Sequence, residues 1–201
     1  MLRTTISTLL WLILPGVVYA PNDTQDRPSR SADGDFSFNP LSSLGLSIGH
    51  GADIAPILGV AQIIESGNFT SYSHNLWALA NETKAAATKA ESQSDATNAR
   101  DTCFIAANYF RNADFYLHET CSGPLIYALG EERLHDLEQA IASLPCSGQR
   151  LHIPSNSFMV KATWYVFNHD AIKRSTRILG NGYDGSQEVL YHTDVVPALA
   201  R

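Results

Sequence analysis

The chain has 201 residues, 44% of them hydrophobic and 17% charged, which suits one globular domain or one domain with part of another. Its formal charge of −6 and the lack of any basic run argue against nucleic acid as a partner, because neutralising phosphates takes clustered Lys and Arg. Three cysteines, Cys103, Cys121 and Cys146, match no zinc or redox spacing. They read either as one disulfide with a leftover thiol or as three buried structural residues.

Residues 1–20, MLRTTISTLLWLILPGVVYA, follow the pattern of a secretory signal peptide. Arg3 gives a positive start, Leu9 to Leu14 an apolar stretch, and Val18-Tyr19-Ala20 the cleavage spacing. The apolar stretch is short of the roughly 20 residues that a membrane span needs. Pro21 directly after the cut disfavours cleavage, so an uncleaved anchor is the alternative reading. Export agrees with three glycosylation sequons, at Asn22, Asn68 and Asn81, and places the chain in the secretory pathway or outside the cell.

Residues 21–49 are rich in Ser, Asp, Asn, Pro and Gly and read as a flexible leader. They end in GLSIG, residues 45–49, which has the G-x-S-x-G form of a serine nucleophile elbow. An elbow needs a buried strand before it and a helix directly after it. Here FNPLSSLGL precedes Ser47, a poor strand, and the next helix starts only near Asp53. Ser47 is therefore read as a loop residue, and His50 as a loop or helix-entry residue.

Residues 50–147 read as a helical domain of four helices. In the first, Ile54, Ile57, Leu58, Ala61 and Ile64 share a face, with Asp53 as cap and Gly67 as stop. The second runs from about Thr70 to Glu91 on a Tyr72, Leu76, Leu79, Ala80 stripe; its far end, KAAATKAES, has high helix propensity and little to bury. The third, from about Asp95 to His118, is apolar almost all round and should be the central buried helix. Its exception is a polar stripe of Asn108, Arg111 and Asn112, with Asp114 three residues from Arg111. That stripe reads either as an internal ion pair with amides or as a polar wall on a substrate cavity. The fourth helix opens at Glu131-Glu132, buries Leu134, Leu137, Ile141 and Leu144, and stops at Pro145.

From residue 148 to 201 the pattern changes. Val160, Ala162, Trp164 and Val166 alternate with Lys161, Thr163, Tyr165 and Phe167, as in a strand. Unpaired, this strand would be an exposed apolar edge. Residues 168–170 make a turn, Arg177-Ile178-Leu179 a short strand, and an amphipathic helix starts at Ser186. The fold class is therefore α/β: an N-terminal helical domain followed by the first strands of a sheet. Between strand and helix, GNGYDGS at residues 180–186 is a glycine-rich turn. It fits a phosphate cradle, though without the P-loop lysine; an oxyanion-hole donor; or simply a tight turn.

The helix ARDTCFIAANYFRNADFYLH, the strand RLHIPSNSFMVKATWYV and the loop RILGNGYDGSQEVLY stand in an order that resembles α/β-hydrolases with an N-terminal helical domain. These are relatives of 2,6-dihydropseudooxynicotine hydrolase and of the fermentation–respiration switch esterases, including fungal hydrolases of secondary-metabolite clusters. The resemblance covers about Gly51 to Tyr191. It implies a helical cap over an α/β-hydrolase core, serine-type hydrolysis of a C–C or ester bond in a small organic substrate, and no cofactor or metal. It implies a homodimer through the helical domain. It places the oxyanion-hole loop at Asn181, Gly182, Tyr183 and Asp184, with Asp184 and Glu188 organising the loop and helix start. It turns Asn108, Tyr109 and Arg111 toward the cavity. In such enzymes the nucleophile, acid and histidine lie downstream of this loop, and the expectation is a chain truncated before its nucleophile and inactive by itself. The alternative is a non-catalytic exported module, derived from the cap, for binding or dimerisation.

Overall fold

A computed structural model describes residues 34–120, 123–145, 148–166, 176–182 and 185–196. Helix α4, Ala96–Ala113, is the axis of the fold. Every residue from Cys103 to Arg111 is buried, as expected from a segment apolar on all sides. Asp95 starts it, its carboxylate accepting from the Asn98 N–H at 3.1 Å, a normal N-cap. The helix stops at Ala113, and Phe115–Thr120 tighten into a 3-10 turn, so it is shorter than the sequence pattern suggested.

Helix α3, Phe69–Ser92, and helix α5, Pro124–Ala142, pack against α4. The predicted α3 stripe is the buried one: Tyr72, Leu76, Leu79 and Ala80 all lie inside. Its far end also buries Ala87 and Ala90, contrary to the expectation that it has little to hide. Their small side chains let α3 come close to its neighbours, a contact that periodicity of large residues does not reveal. Helix α5 starts at Pro124 rather than near Glu131, because proline is pre-set for the first helical turn. The early start adds Leu129 to the core.

Two smaller helices complete the domain. Helix α2, Ile54–Ile63, has Asp53 at its N-cap position with no side-chain bond. Of its predicted stripe Ile57 is fully buried, whereas Ile54 is exposed. It ends before Gly67, which takes a positive φ of 74° in the turn leading to α3. Helix α1, Gly34–Leu46, is a correction to the sequence reading, which put these residues in a flexible leader. Pro40 lies inside it and removes a backbone donor. Tertiary contacts outweigh that cost. Ser43 and Leu46 are buried, Leu44 packs on the core, and Asn39 donates to the Tyr116 hydroxyl at 2.6 Å.

After the helices, β1, Gln149–Pro154, pairs with β2, Met159–Trp164, as an antiparallel hairpin with Gln149 opposite Trp164 and Pro154 opposite Met159. The architecture is thus a helical domain followed by a small sheet, in keeping with a helical domain plus partial α/β. The hairpin leaves Ile153, Phe158, Met159, Val160 and Trp164 exposed. Residues 177–179 form no strand, contrary to expectation, and Ile178 is 93% exposed. A strand exists only by pairing, and among the described residues no strand pairs with these, although Leu179 packs on the core and Arg177 lies 4.0 Å from Asp194. The predicted turn at 168–170 lies outside the described residues. Helix α6, Gln187–Leu190, begins where expected, with the Ser186 hydroxyl accepting from Val189 N–H. It widens into a π turn over Tyr191–Val195. Among the described residues no helix is long and apolar enough to cross a membrane.

The core forms two clusters on α4. One gathers Tyr72, Leu76, Ile105, Tyr109, Phe110 and Leu129. The other gathers Phe104, Ala107, Leu137, Ile141, Tyr191 and Val195, and so ties α6 to the helical domain. Phe110→Ala empties a fully buried site in the first cluster. It should cost about 3–5 kcal/mol, read as a lower urea midpoint with unchanged slope.

Candidate functional site

The described part of the glycine-rich turn is Gly180, Asn181, Gly182, Gly185 and Ser186; Tyr183 and Asp184 lie outside the described residues. Gly185 N–H donates to Gly182 O at 3.2 Å. A Cβ on Gly185 would sit 2.7 Å from the Asn181 side chain, so this glycine is required by packing. Gly180 and Gly182 border open space, and Asn181 and Gly182 are exposed. The backbone here is accessible to a ligand atom.

The helix after this turn docks on the helical domain at two places. At the first, Glu188, 2% exposed, lies 3.6 Å from Arg133 Nε of α5. Arg133 Nη1 lies 3.6 Å from Asp114, which also takes Arg111 Nη1 at 2.9 Å. The Arg111 guanidinium stands over the Phe115 ring, 5.3 Å from its centre. The ion-pair reading of the polar stripe is the one seen. Asn112 Nδ2 donates back to Asn108 O at 2.8 Å. Asn108 Nδ2 donates to Gly51 O at 2.7 Å, and the Tyr109 hydroxyl accepts from Asp53 N–H at 2.9 Å. Burial pushes the Tyr109 hydroxyl up to about 12, so it stays a neutral phenol. Asn108, Tyr109 and Arg111 are all buried in this internal bonding.

At the second place, His192 Nδ1 lies 2.7 Å from Gly49 O. That bond requires a proton on Nδ1 and leaves Nε2 bare, buried and without a hydrogen-bond partner. Burial lowers the His192 pKa to about 4, only partly opposed by the bond to Gly49. A Cβ on Gly49 would lie 2.5 Å from His192 O, and one on Gly51 2.8 Å from the imidazole ring. Gly49 and Gly51 are thus needed for close approach of α6, whereas Gly45 borders open space. Ser47 itself sits in a 3-10 turn, Ser47–Gly49, and its hydroxyl donates to Leu44 O at 2.6 Å. His50 follows in the left-handed region at φ 60°.

A cleft of 470 Å³ opens between these elements, floored by Phe104 stacked 4.0 Å on Tyr191 and walled by His50, Arg100, Asp101 and His192. Ser47 and His50 line a neighbouring cleft of 440 Å³ with Asp53 and Asp101. None of Asn108, Tyr109 and Arg111 lines either cleft. Arg133 and His192 escaped the sequence reading. A lone basic residue on an amphipathic helix looks like surface, and a histidine near the last residues carried no motif.

Cys103 is buried and reduced, its thiol pushed up to about 11 by burial, which leaves it a poor nucleophile. Cys121 and Cys146 lie outside the described residues, as does Asn22. Asn68 spends its side chain capping α3, accepting from Ser71 N–H at 2.9 Å. Asn81 is exposed on α3, bonded to Trp77 O. Among the described residues no group of three His, Cys, Asp or Glu gathers as a metal site.

A helical domain, a glycine-rich turn and a helix start docked beneath it make up the arrangement that comparison with known proteins can test. No family model matches the chain. It is 26% identical over 170 residues to the 20-hydroxy-prefusarin hydrolase FUS2 of Gibberella moniliformis (strain M3125 / FGSC 7600), covering 83% of this chain and 41% of that protein. It is 25% identical over 170 residues to the hydrolase LUC6 of Fusarium sp, with the same coverage. The chain spans about two-fifths of the length of these curated relatives, and its similarity is to fungal hydrolases.

Two outcomes follow from the His192 geometry. Neutral in the fold, His192 binds its proton more readily in the unfolded chain. Its contribution is complete above pH 6.5 and lost progressively towards pH 4, by up to about 3 kcal/mol. His192→Asn, whose amide can still donate to Gly49 O, should flatten this slope in urea melts at pH 4 to 7. Gly49→Ala should cost about 1–3 kcal/mol by displacing α6, seen as a lower thermal midpoint.

Proposed function

We propose that these residues are the front portion of a serine-type α/β-hydrolase that cleaves an ester or C–C bond in a small secondary-metabolite-like substrate. The observation that carries this reading is the similarity to two fungal hydrolases across 170 residues. The helical domain acts as the cap. The backbone N–H near Gly182 and Tyr183 faces the developing oxyanion, where a donor is worth about 3 kcal/mol; the accessible backbone at Asn181 and Gly182 supports that role. The nucleophile, acid and histidine are not among these 201 residues. Ser47, tied to Leu44 O, has no part in the chemistry. The enzyme enters the secretory pathway through residues 1–20, and the helical domain pairs with a second copy.

The test is to sequence the native transcript through and beyond the Arg201 codon, then assay the product on p-nitrophenyl esters and on a vinylogous C–C substrate. The expected product carries a downstream G-x-S-x-G, turns over, and is unaffected by Ser47→Ala, whereas residues 21–201 alone show no turnover. Esterase activity of residues 21–201 that disappears in Ser47→Ala would overturn the assignment. A message that ends at Arg201, with a soluble and cooperatively melting product, would favour the exported binding module. The exposed apolar hairpin predicts instead that the isolated chain associates at micromolar concentration, which light scattering reads directly.

A further inference from the structure

Arg133 falls between Glu132 and Leu134 on α5, in a run of charges that by pattern belongs to a solvated face. The structure puts it elsewhere. Its side chain is a quarter exposed and lies between two carboxylates, Asp114 and Glu188, that are each nearly closed off from water. Asp114 ends α4. Glu188 lies in the first turn of α6, two residues after the Ser186 cap and three after Gly185. Both Arg133 contacts are 3.6 Å, an ion-pair distance rather than a hydrogen bond. Arg111 takes the other Asp114 oxygen at 2.9 Å. Two guanidinium groups and two carboxylates therefore balance in one buried cluster.

We propose that Arg133 is the positioning residue of the glycine-rich turn. It holds Glu188, and through it the start of α6 and the last bond of the turn, at a set distance from the helical domain. The catalytic meaning rests on the hydrolase reading above; the positioning rests on the charge cluster alone. The reason is electrostatic. A carboxylate buried without a cation is costly, so the first turn of α6 stays where Arg133 can neutralise it. The same segment has independent attachments. Gln187 bonds Arg150 on β1 and Lys161 O on β2, and His192 bonds Gly49 O. Those attachments keep α6 on the protein when Arg133 is changed, and Arg133 decides the register of its first turn. The backbone N–H near Gly182 and Tyr183 that would face an oxyanion lies five to six residues from Glu188, and the Gly185 N–H to Gly182 O bond falls between them. A displacement of about 1 Å at Glu188 reaches that donor, and errors of this size cost about 100-fold in rate.

Amide hydrogen exchange on the 201-residue chain tests the clasp without any assumption about catalysis. Arg133→Gln should raise exchange at residues 185–190 at least tenfold while residues 104–110 of α4 keep wild-type protection, and Arg133→Lys should recover part of the protection. Glu188→Gln, which removes the charge without changing shape, should loosen the same residues and serves if Arg133→Gln fails to fold. Unchanged exchange at 185–190 in these variants overturns the proposal. A uniform rise across α4 and residues 185–190 also overturns it, because it makes Arg133 a contributor to general stability. In the full native enzyme Arg133→Gln should lower kcat about 100-fold with KM within twofold, and Arg133→Lys should restore part of kcat. A change in KM alone overturns the catalytic link. If that enzyme proves inactive while the exchange result holds, the hydrolase reading has failed and the clasp stands.

Discussion

The constraint on which the rest of the structure depends is the burial of α4. From Cys103 to Arg111 no face of this helix meets water. Its apolar side chains are satisfied by contact, with Ala106, Ala107 and Ala113 leaving room for neighbouring helices. Its polar ones cannot be satisfied that way. A buried amide or guanidinium without a partner costs more than most packing contacts return. Asn108 therefore reaches Gly51 O, Tyr109 reaches the Asp53 backbone, and Arg111 pairs with Asp114. Each partner belongs to the helix's own end or to the segment that leads into α2. The polar stripe on α4 thus dictates where the 46–53 segment runs.

A second ion group acts between α3 and α5, with Asp136 buried and Glu132 exposed. Lys84 Nζ lies 2.5 Å from Glu132 and 2.8 Å from Asp136, and stands over the Phe110 ring, 5.9 Å from its centre. Burial works against the Lys84 charge, but bonds to Asp136 and Glu132 outweigh it and raise its pKa. For Asp136 the balance is reversed: burial raises its pKa despite the lysine. The carboxylate is 1% exposed while the lysine keeps more contact with water, which is why the same pair shifts both partners upward. Removing Lys84 would leave the buried Asp136 carboxylate without its cation, which is costly. Lys84 and the Arg133 cluster thus each tie α5 to a neighbouring segment.

The G-x-S-x-G run shows how a motif can be present for a different physical reason. Its last glycine, Gly49, and the next, Gly51, stand against the His192 backbone and ring at distances no Cβ would allow. The demand behind Gly49 and Gly51 is close packing of α6, while Gly45 meets nothing. What separates the two explanations is the local setting. Ser47 follows a helix rather than a strand and spends its hydroxyl on Leu44 O.

The sequence by itself determined the helical domain, the centrality of α4, the stripe of α3 and the start of α6 at Ser186. These are local signals: 3.6-residue periodicity, capping side chains, and a change to period two at the hairpin. It also marked Asn108, Arg111 and Asp114 as an exception in an apolar helix, leaving ion pair and cavity wall both open. Only the tertiary structure decided between them, because the choice turns on Arg133 and Glu188, 19 and 74 residues beyond Asp114. Helix α1 was hidden for the same reason: Pro40 and its glycines oppose a helix locally, and contacts to the core override them. The residues 177–179 erred the other way, since strand propensity is realised only when another strand stands beside it. Propensity and periodicity act within a few residues; burial of charge and close approach at glycine are settled between segments that meet only when the chain has folded.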